Sequence, residues 1–243
     1  MRKILVMAAI LTLCASSAFA ATGETFSYAD GNLNGNGGWT GSDAGSIVVE
    51  SQTVKITSNA TGTFDANLTA ITEAIEGMIC VSFDYKMQAG NPEFFADVFA
   101  RDAAGNYLGW MYMAAEGYWD EGAGPQFANG IVRGRGPAGI VVHLVGAGDY
   151  AWHNYCMKIN TVANTTEYFV DGVSFGSQGQ APGAGDAVQT LQLTSWNRGH
   201  TQSFGYYDNL NITGGDVCIP EPSSLVALSM FGLGALGFIR RRS

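Results

Sequence analysis

YAWHNYCMKINTVANTTEYFVDGVSFG, running from Tyr150 to Gly176, carries a two-residue rhythm broken by two turns. His153, Tyr155, Met157 and Ile159 alternate with Trp152, Asn154, Cys156, Lys158 and Asn160, the pattern of a strand with one face buried. Ala163-Asn164-Thr165 turns the chain, and Glu167 to Val170 returns as the partner strand. Asp171-Gly172 then supplies a tight hairpin turn, because both central positions of such a turn favour positive φ.

The same rhythm recurs on both sides. GMICVSFDYKM, Gly77 to Met87, places Val81, Phe83, Tyr85 and Met87 on one face and Cys80, Ser82, Asp84 and Lys86 on the other. In EFFADVFARD, Glu93 to Asp102, Phe94, Ala96, Val98 and Ala100 face away from Phe95, Asp97, Phe99 and Arg101. Ala104-Gly105-Asn106 is a turn, and Asn106 to Ala115 reads as the returning strand. Further strands are expected at Phe26–Tyr28, Ser46–Thr57, Thr63–Ala70, Ala187–Trp196 and Phe204–Thr213. Residues 116–139 hold two prolines and seven glycines around Ile131-Val132, the composition of a long loop with a short strand inside it. Ten to twelve antiparallel strands without a sustained helical stripe indicate an all-β sandwich of two packed sheets.

The hairpin ending in Tyr168-Phe169-Val170-Asp171-Gly172 resembles the corresponding unit of concanavalin A-like, laminin-G-like jelly rolls. The opening Phe26-Ser27-Tyr28-Ala29-Asp30-Gly31 and the closing Tyr207-Asp208-Asn209-Leu210 resemble the edges of those domains. The resemblance implies a jelly-roll sandwich over 21–217 whose first and last strands meet. A carbohydrate-module or immunoglobulin-like sandwich is the alternative. Jelly rolls of this kind often hold a structural calcium ion where the ends meet, which makes Asp30 and Asp208 the candidate ligands.

The two ends of the chain read differently. Arg2 and Lys3 precede the apolar run Ile4–Leu13 and then Ala18-Phe19-Ala20, the layout of a signal peptide over 1–20 with cleavage after Ala20. That layout makes the secretion machinery a partner. At the other end, Pro220-Glu221-Pro222 is followed by an apolar stretch to Ile239 and by Arg240, Arg241 and Arg242. Over 218–243 this resembles the PEP-CTERM sorting signal of Gram-negative bacteria, which is read by exosortase. The resemblance implies cleavage near the Pro-Glu-Pro, transient anchoring in the inner membrane, and delivery to the cell surface or extracellular matrix. Seventeen residues, Ser223 to Ile239, just suffice to cross a hydrocarbon core as a short transmembrane helix, and the arginines hold its end in the cytoplasm.

Between these ends the chain is acidic. Residues 21–219 hold twenty of the twenty-one acidic residues and seven of the twelve basic ones, a formal charge of −13. Such a charge repels phosphate backbones and argues against nucleic acid as a partner. A glycosidase needs two carboxylates facing each other across a cleft. The Glu-x-Asp-x-Glu strand motif of glycan-cutting relatives is absent, so Glu93, Asp97, Glu116, Asp120 and Glu121 read as solvated acids. His143, His153 and His200 lack a nucleophile motif. The sharper expectation is a non-catalytic module binding an extracellular polysaccharide through aromatic platforms and planar donors. Trp110 and Tyr112 share a strand face, Tyr118 and Trp119 lie in the long loop, Trp152 lies on the polar strand face with Lys158, and Arg133 and Arg135 supply guanidinium groups. A structural surface protein without ligand and a polysaccharide-degrading enzyme are the alternatives. Export would remove Cys14 and leave three cysteines, of which Cys80 and Cys156 share the polar phase of two strong strands and are the candidate disulfide.

Overall fold

The computed structural model describes residues 21–41, 46–58, 64–68, 77–87, 94–114, 119–120, 124–125, 131–137, 139–144, 150–185, 187–197 and 203–215. Among them are eighteen β segments and no helix. In chain order these begin β1 (Ala21–Glu24), β2 (Gly31–Asn32), β3 (Trp39–Gly41), β4 (Ile47–Glu50), β5 (Thr53–Ser58) and β6 (Phe64–Leu68). The central part contributes β7 (Met78–Met87), β8 (Phe94–Arg101), β9 (Tyr107–Ala114), β10 (Trp119–Asp120), β11 (Gly124–Pro125), β12 (Ile131–Gly136) and β13 (Gly139–Leu144). The last five are β14 (His153–Asn160), β15 (Thr165–Val170), β16 (Val173–Gly179), β17 (Thr190–Asn197) and β18 (Ser203–Gly214).

Two antiparallel sheets result. One runs β16-β15-β14-β7-β18-β5-β4-β2, with β1 added to β18; the other runs β13-β12-β9-β8-β17-β6-β3. The first and last described strands do meet, since Ala21–Glu24 pairs with residues 210–213 of β18. The alternation in Gly77–Met87 holds: Val81, Phe83 and Tyr85 are buried in the core between the sheets. Asp171 and Gly172 both have positive φ, as the hairpin between β15 and β16 requires.

Three local expectations are corrected. Phe26–Tyr28 is not a strand. Phe26 takes φ 50° and is fully buried, held by Glu24, whose carboxylate accepts from the Phe26 backbone N–H at 2.8 Å, the Tyr28 hydroxyl at 2.6 Å and the Trp39 indole at 3.3 Å. Ser46–Thr57 is two strands rather than one, because Ser51 and Gln52 both adopt positive φ and turn the chain without a glycine to announce it. Short edge pieces raise the number of β segments above the ten to twelve expected. They include the two-residue hairpin β10–β11 within the long loop.

The sheets fit large against small. Tyr168 of β15 lies on Gly134 of β12, and Met157 of β14 lies on Gly109 of β9. Polar side chains then pin the sheets across the core. The Thr166 hydroxyl donates to the Leu108 carbonyl at 2.5 Å, and the Tyr168 hydroxyl donates to the Arg135 carbonyl at 2.8 Å. Both bonds reach the backbone of β9 and β12 from beneath, where those strands carry Trp110 and Arg135 on their other face.

Candidate functional site

The site is the face of the seven-stranded sheet turned away from the core. Alternation sends Ala96, Val98 and Ala100 of β8 inward, so Asp97, Phe99 and Arg101 point outward, and the register extends this across the sheet. One row runs Thr194, Asp97, Tyr112, Arg133, in direct cross-strand pairs. The next runs Gln192, Phe99, Trp110, Arg135, Ile140. Asp65 on β6 pairs with Thr194 and so belongs to the first row.

Each described arginine of this face covers an aromatic ring. The guanidinium carbon stands 4.2 Å from the Tyr107 ring centre for Arg101, 4.1 Å from Trp110 for Arg135 and 5.7 Å from Tyr112 for Arg133. Tyr107 and Trp110 are themselves stacked, with centroids 5.3 Å apart and planes 24° from parallel. Arg101 is held in place by its donors, with Nη1 on the Gly105 carbonyl and Nη2 on the Tyr107 hydroxyl and Gln192 Oε1. Trp110 Nε1 donates to Asp97 Oδ1 at 2.6 Å. Asp97 is only 8% exposed, and burial pushes its carboxyl up to about 6; the Trp110 bond, the Arg135 charge and the Thr194 hydroxyl partly offset that rise.

A cavity of about 320 Å³ opens beside the second row, lined by Tyr107, Trp110, Arg135, Pro137, Ile140 and Gln180 among others. Gln180 is 7% exposed, and its Nε2 donates to the carbonyls of Asn160 and Thr165 at 3.2 and 3.1 Å. Those two bonds fix the amide orientation, so Oε1 is left with no hydrogen-bond partner among the described residues. The cavity therefore combines an aromatic wall with a planar cation.

Of the residues expected from sequence, the structure gathers Trp110, Tyr112, Arg133 and Arg135. Trp152 is elsewhere: it lies before β14 on the other sheet, 40% exposed, with Lys86 Nζ 4.8 Å from its ring centre. Trp119 lies in β10, and Tyr118 falls outside the described residues. Sequence reasoning passed over Asp97, Arg101, Tyr107 and Gln180. For Asp97 the solvated reading is wrong. The outward alternation was legible, but its burial follows from packing on the outer face. Tyr107 and Gln180 are 73 residues apart and no local pattern joins them.

The cysteines are not joined as expected. Cys80 is disulfide-bonded while Cys156 is a buried free thiol, so the Cys80–Cys156 bridge is corrected. The register explains this, because Cys156 pairs with Ser82 and Cys80 with Lys158. The partner of Cys80 lies outside the described residues. His153 is part-buried, with Nδ1 2.7 Å from Asp171 Oδ2, which gives it a structural task at the hairpin. For calcium, Asp30 accepts from the Ser51 N–H at 2.9 Å, and Asp208 stands opposite Asp84 in the sheet, where burial and the Asp84 charge raise its carboxyl. Among the described residues no three His, Cys, Asp or Glu side chains gather as a metal site. The signal peptide with Ala18 and Ala20, and the tail with Pro220, Glu221, Pro222, Arg240, Arg241 and Arg242, lie outside the described residues; among those described, no helix is long and apolar enough to cross a membrane.

Residues 219–243 match the family model described as the PEP-CTERM protein-sorting motif. The chain carries a PEP-CTERM sorting motif. The motif implies export, C-terminal membrane anchoring before processing, and exosortase as the processing partner. Ahead of the sorting motif, the fold is similar to solved structures at low identity. The Emp47p carbohydrate recognition domain is 10% identical with a TM-score of 0.58, covering 83% of this chain and 99% of that one. The Bacillus licheniformis beta-glucanase is 12% identical with a TM-score of 0.54, covering 82% of this chain and all of that one. A sialidase is 12% identical with a TM-score of 0.57 over 77% of this chain, which spans only 18% of the sialidase's length. At these identities the likeness establishes the jelly-roll sandwich and nothing beyond it. No curated protein matches the sequence.

Proposed function

We propose that the sandwich is a non-catalytic glycan-binding module, delivered by its sorting motif to the cell surface or extracellular matrix, where it holds polysaccharide. The observation that carries this reading is the stacked Tyr107–Trp110 pair beside a cavity of about 320 Å³, with Arg135 at its wall. The part-exposed Tyr107 and Trp110 side chains offer apolar surface to the C–H groups of a pyranose, and convergent polar groups fix its orientation. The likeness to a carbohydrate recognition domain agrees with this reading. Retention of the exported protein on immobilised polysaccharides tests it. Trp110→Ala should lower retention about tenfold or more, a loss of about 1.4 kcal/mol, while Trp110→Phe, which keeps a ring, retains most of it. Unchanged retention for Trp110→Ala removes the site. For delivery, the intact mass of the mature protein should lack residues 223–243; their retention would rule out processing.

One observation favours a second reading as a polysaccharide-degrading enzyme. Asp65 and Asp97 lie in the same cross-strand row with only Thr194 between them, their α-carbons ~10 Å apart by strand spacing. Glycosidase carboxyl groups stand about 5 to 9.5 Å apart. Release of reducing ends from a bound polysaccharide, abolished in Asp97→Asn, would establish this reading; its absence across bound polymers would end it.

A further inference from the structure

The chain is strongly acidic, yet its three described arginines, Arg101, Arg133 and Arg135, all lie on one face of one sheet, on the two strands that flank β9. Among the described residues these three arginines stand with Asp97 and Asp65 on this sheet, in a chain in which acids outnumber bases 21 to 12. The arginines are not equivalent. Arg101 spends its donors on Gly105, Tyr107 and Gln192, and Arg133 is 5% exposed. Arg135 is half-buried and lines the cavity; its guanidinium carbon stands 4.1 Å from the Trp110 ring centre, its charge acts on Asp97, and it makes no hydrogen bond with the described residues. Its position is secured from below, where the Tyr168 hydroxyl holds its backbone carbonyl. A guanidinium held over an aromatic ring, with its fork of donors unused at a cavity wall, can pair with a planar or tetrahedral oxyanion.

We infer that the ligand is an acidic polysaccharide, and that Arg135 selects it by taking a sugar's carboxylate or sulfate group while the part-exposed Tyr107 and Trp110 side chains pack against the sugar. This rests on the glycan-binding reading and narrows its substrate class. Arg101 and Arg133 supply the surrounding field that draws a polyanion to this face of a protein that otherwise repels it.

The test measures affinity of the exported protein for polygalacturonate, dextran sulfate and neutral dextran, at low and high salt. The expected result is preference for at least one anionic polymer over dextran, weakening as salt rises, and a ten- to hundredfold loss of that preference in Arg135→Gln. Which anionic polymer is retained names the group, carboxylate or sulfate. Equal binding of dextran and both anionic polymers, or a preference untouched by Arg135→Gln, overturns the inference and leaves glycan binding intact. Binding of none of the three overturns both readings. If Arg135→Gln lowers the melting temperature substantially, Arg135→Lys gives the same comparison, since it keeps charge but loses the fork. Selective loss of the anionic polymer supports the inference, and full retention overturns it.

Discussion

The Tyr168 ring lies so close to Gly134 that a β-carbon at Gly134 would sit 2.2 Å from Tyr168 Cδ2. Tyr168 is almost entirely buried, so its ring has no room to withdraw. This contact joins the two sheets directly beneath the candidate site. Gly134→Ala should therefore cost about 3 kcal/mol or more, as overpacking of a closed core does, read as a fall in thermal midpoint. Tyr168→Phe keeps the ring and loses only the bond to Arg135, so it should cost about 1 kcal/mol. If Gly134→Ala were neutral, the sheets would not be packed at this distance.

Asp97 gives the fold an acid-dependent component of definite sign. Its carboxyl titrates at about 6 when folded, against about 4 when unfolded, so the folded state holds the extra proton between those values. Stability from this group is full below pH ~4 and declines as pH rises to ~6, by on the order of 3 kcal/mol. Asp97→Asn retains an acceptor for Trp110 and removes the titration. The difference in unfolding free energy between variant and wild type should grow from pH 4 to pH 7 and then level. A difference independent of pH would show that Asp97 is not held in a desolvated setting.

Asp102 works in the opposite sense. Burial would raise its carboxyl, but bonds from the Asn106 side chain and from the N–H groups of Gly185, Asn106 and Ala104 outweigh it and leave the group below its ordinary value. Its stabilisation is present above the unfolded value near 4 and is lost as pH falls through the folded one. Asp102→Asn would set an amide NH₂ against donors already present, costing about 2 kcal/mol at neutral pH. Urea denaturation at pH 7 and pH 3 should show the variant's deficit shrinking at the lower pH.

Burial pushes the Cys156 thiol well above its ordinary range, so it should resist alkylation in the native protein and react on unfolding. Cys80 is already bridged, and its Sγ lies 3.4 Å from the carbonyl of Gly215, three residues before Cys218 in the sequence. Peptide mapping of protein that has lost residues 1–20 should find Cys80 linked to Cys218, and reduction should lower the thermal midpoint. A Cys80–Cys156 peptide would contradict the free thiol seen at Cys156.

Much of this was written locally. Gly77–Met87 and His153–Asn160 declare themselves as strands because alternation is a property of neighbours, and Asp171-Gly172 declares a hairpin because few residues tolerate two consecutive positive φ angles. Ser51-Gln52 turns with no such signal, since its conformation is imposed by the pairing of β4 with β5. Phe26 likewise leaves the strand because Glu24 and Trp39 hold it.

The sorting motif is a linear string, and sequence alone was enough to identify it. The outward phase of Trp110, Tyr112, Arg133 and Arg135 also follows from each strand's own rhythm. That these residues meet does not. Cross-strand register is set by pairings between segments far apart in the chain, and those are decided by how the two inner faces fit, Tyr168 on Gly134 and Met157 on Gly109. Only that fit brought Gln180 to Tyr107, buried Asp97 beside Trp110, and collected the three described arginines of an acidic chain on a single face.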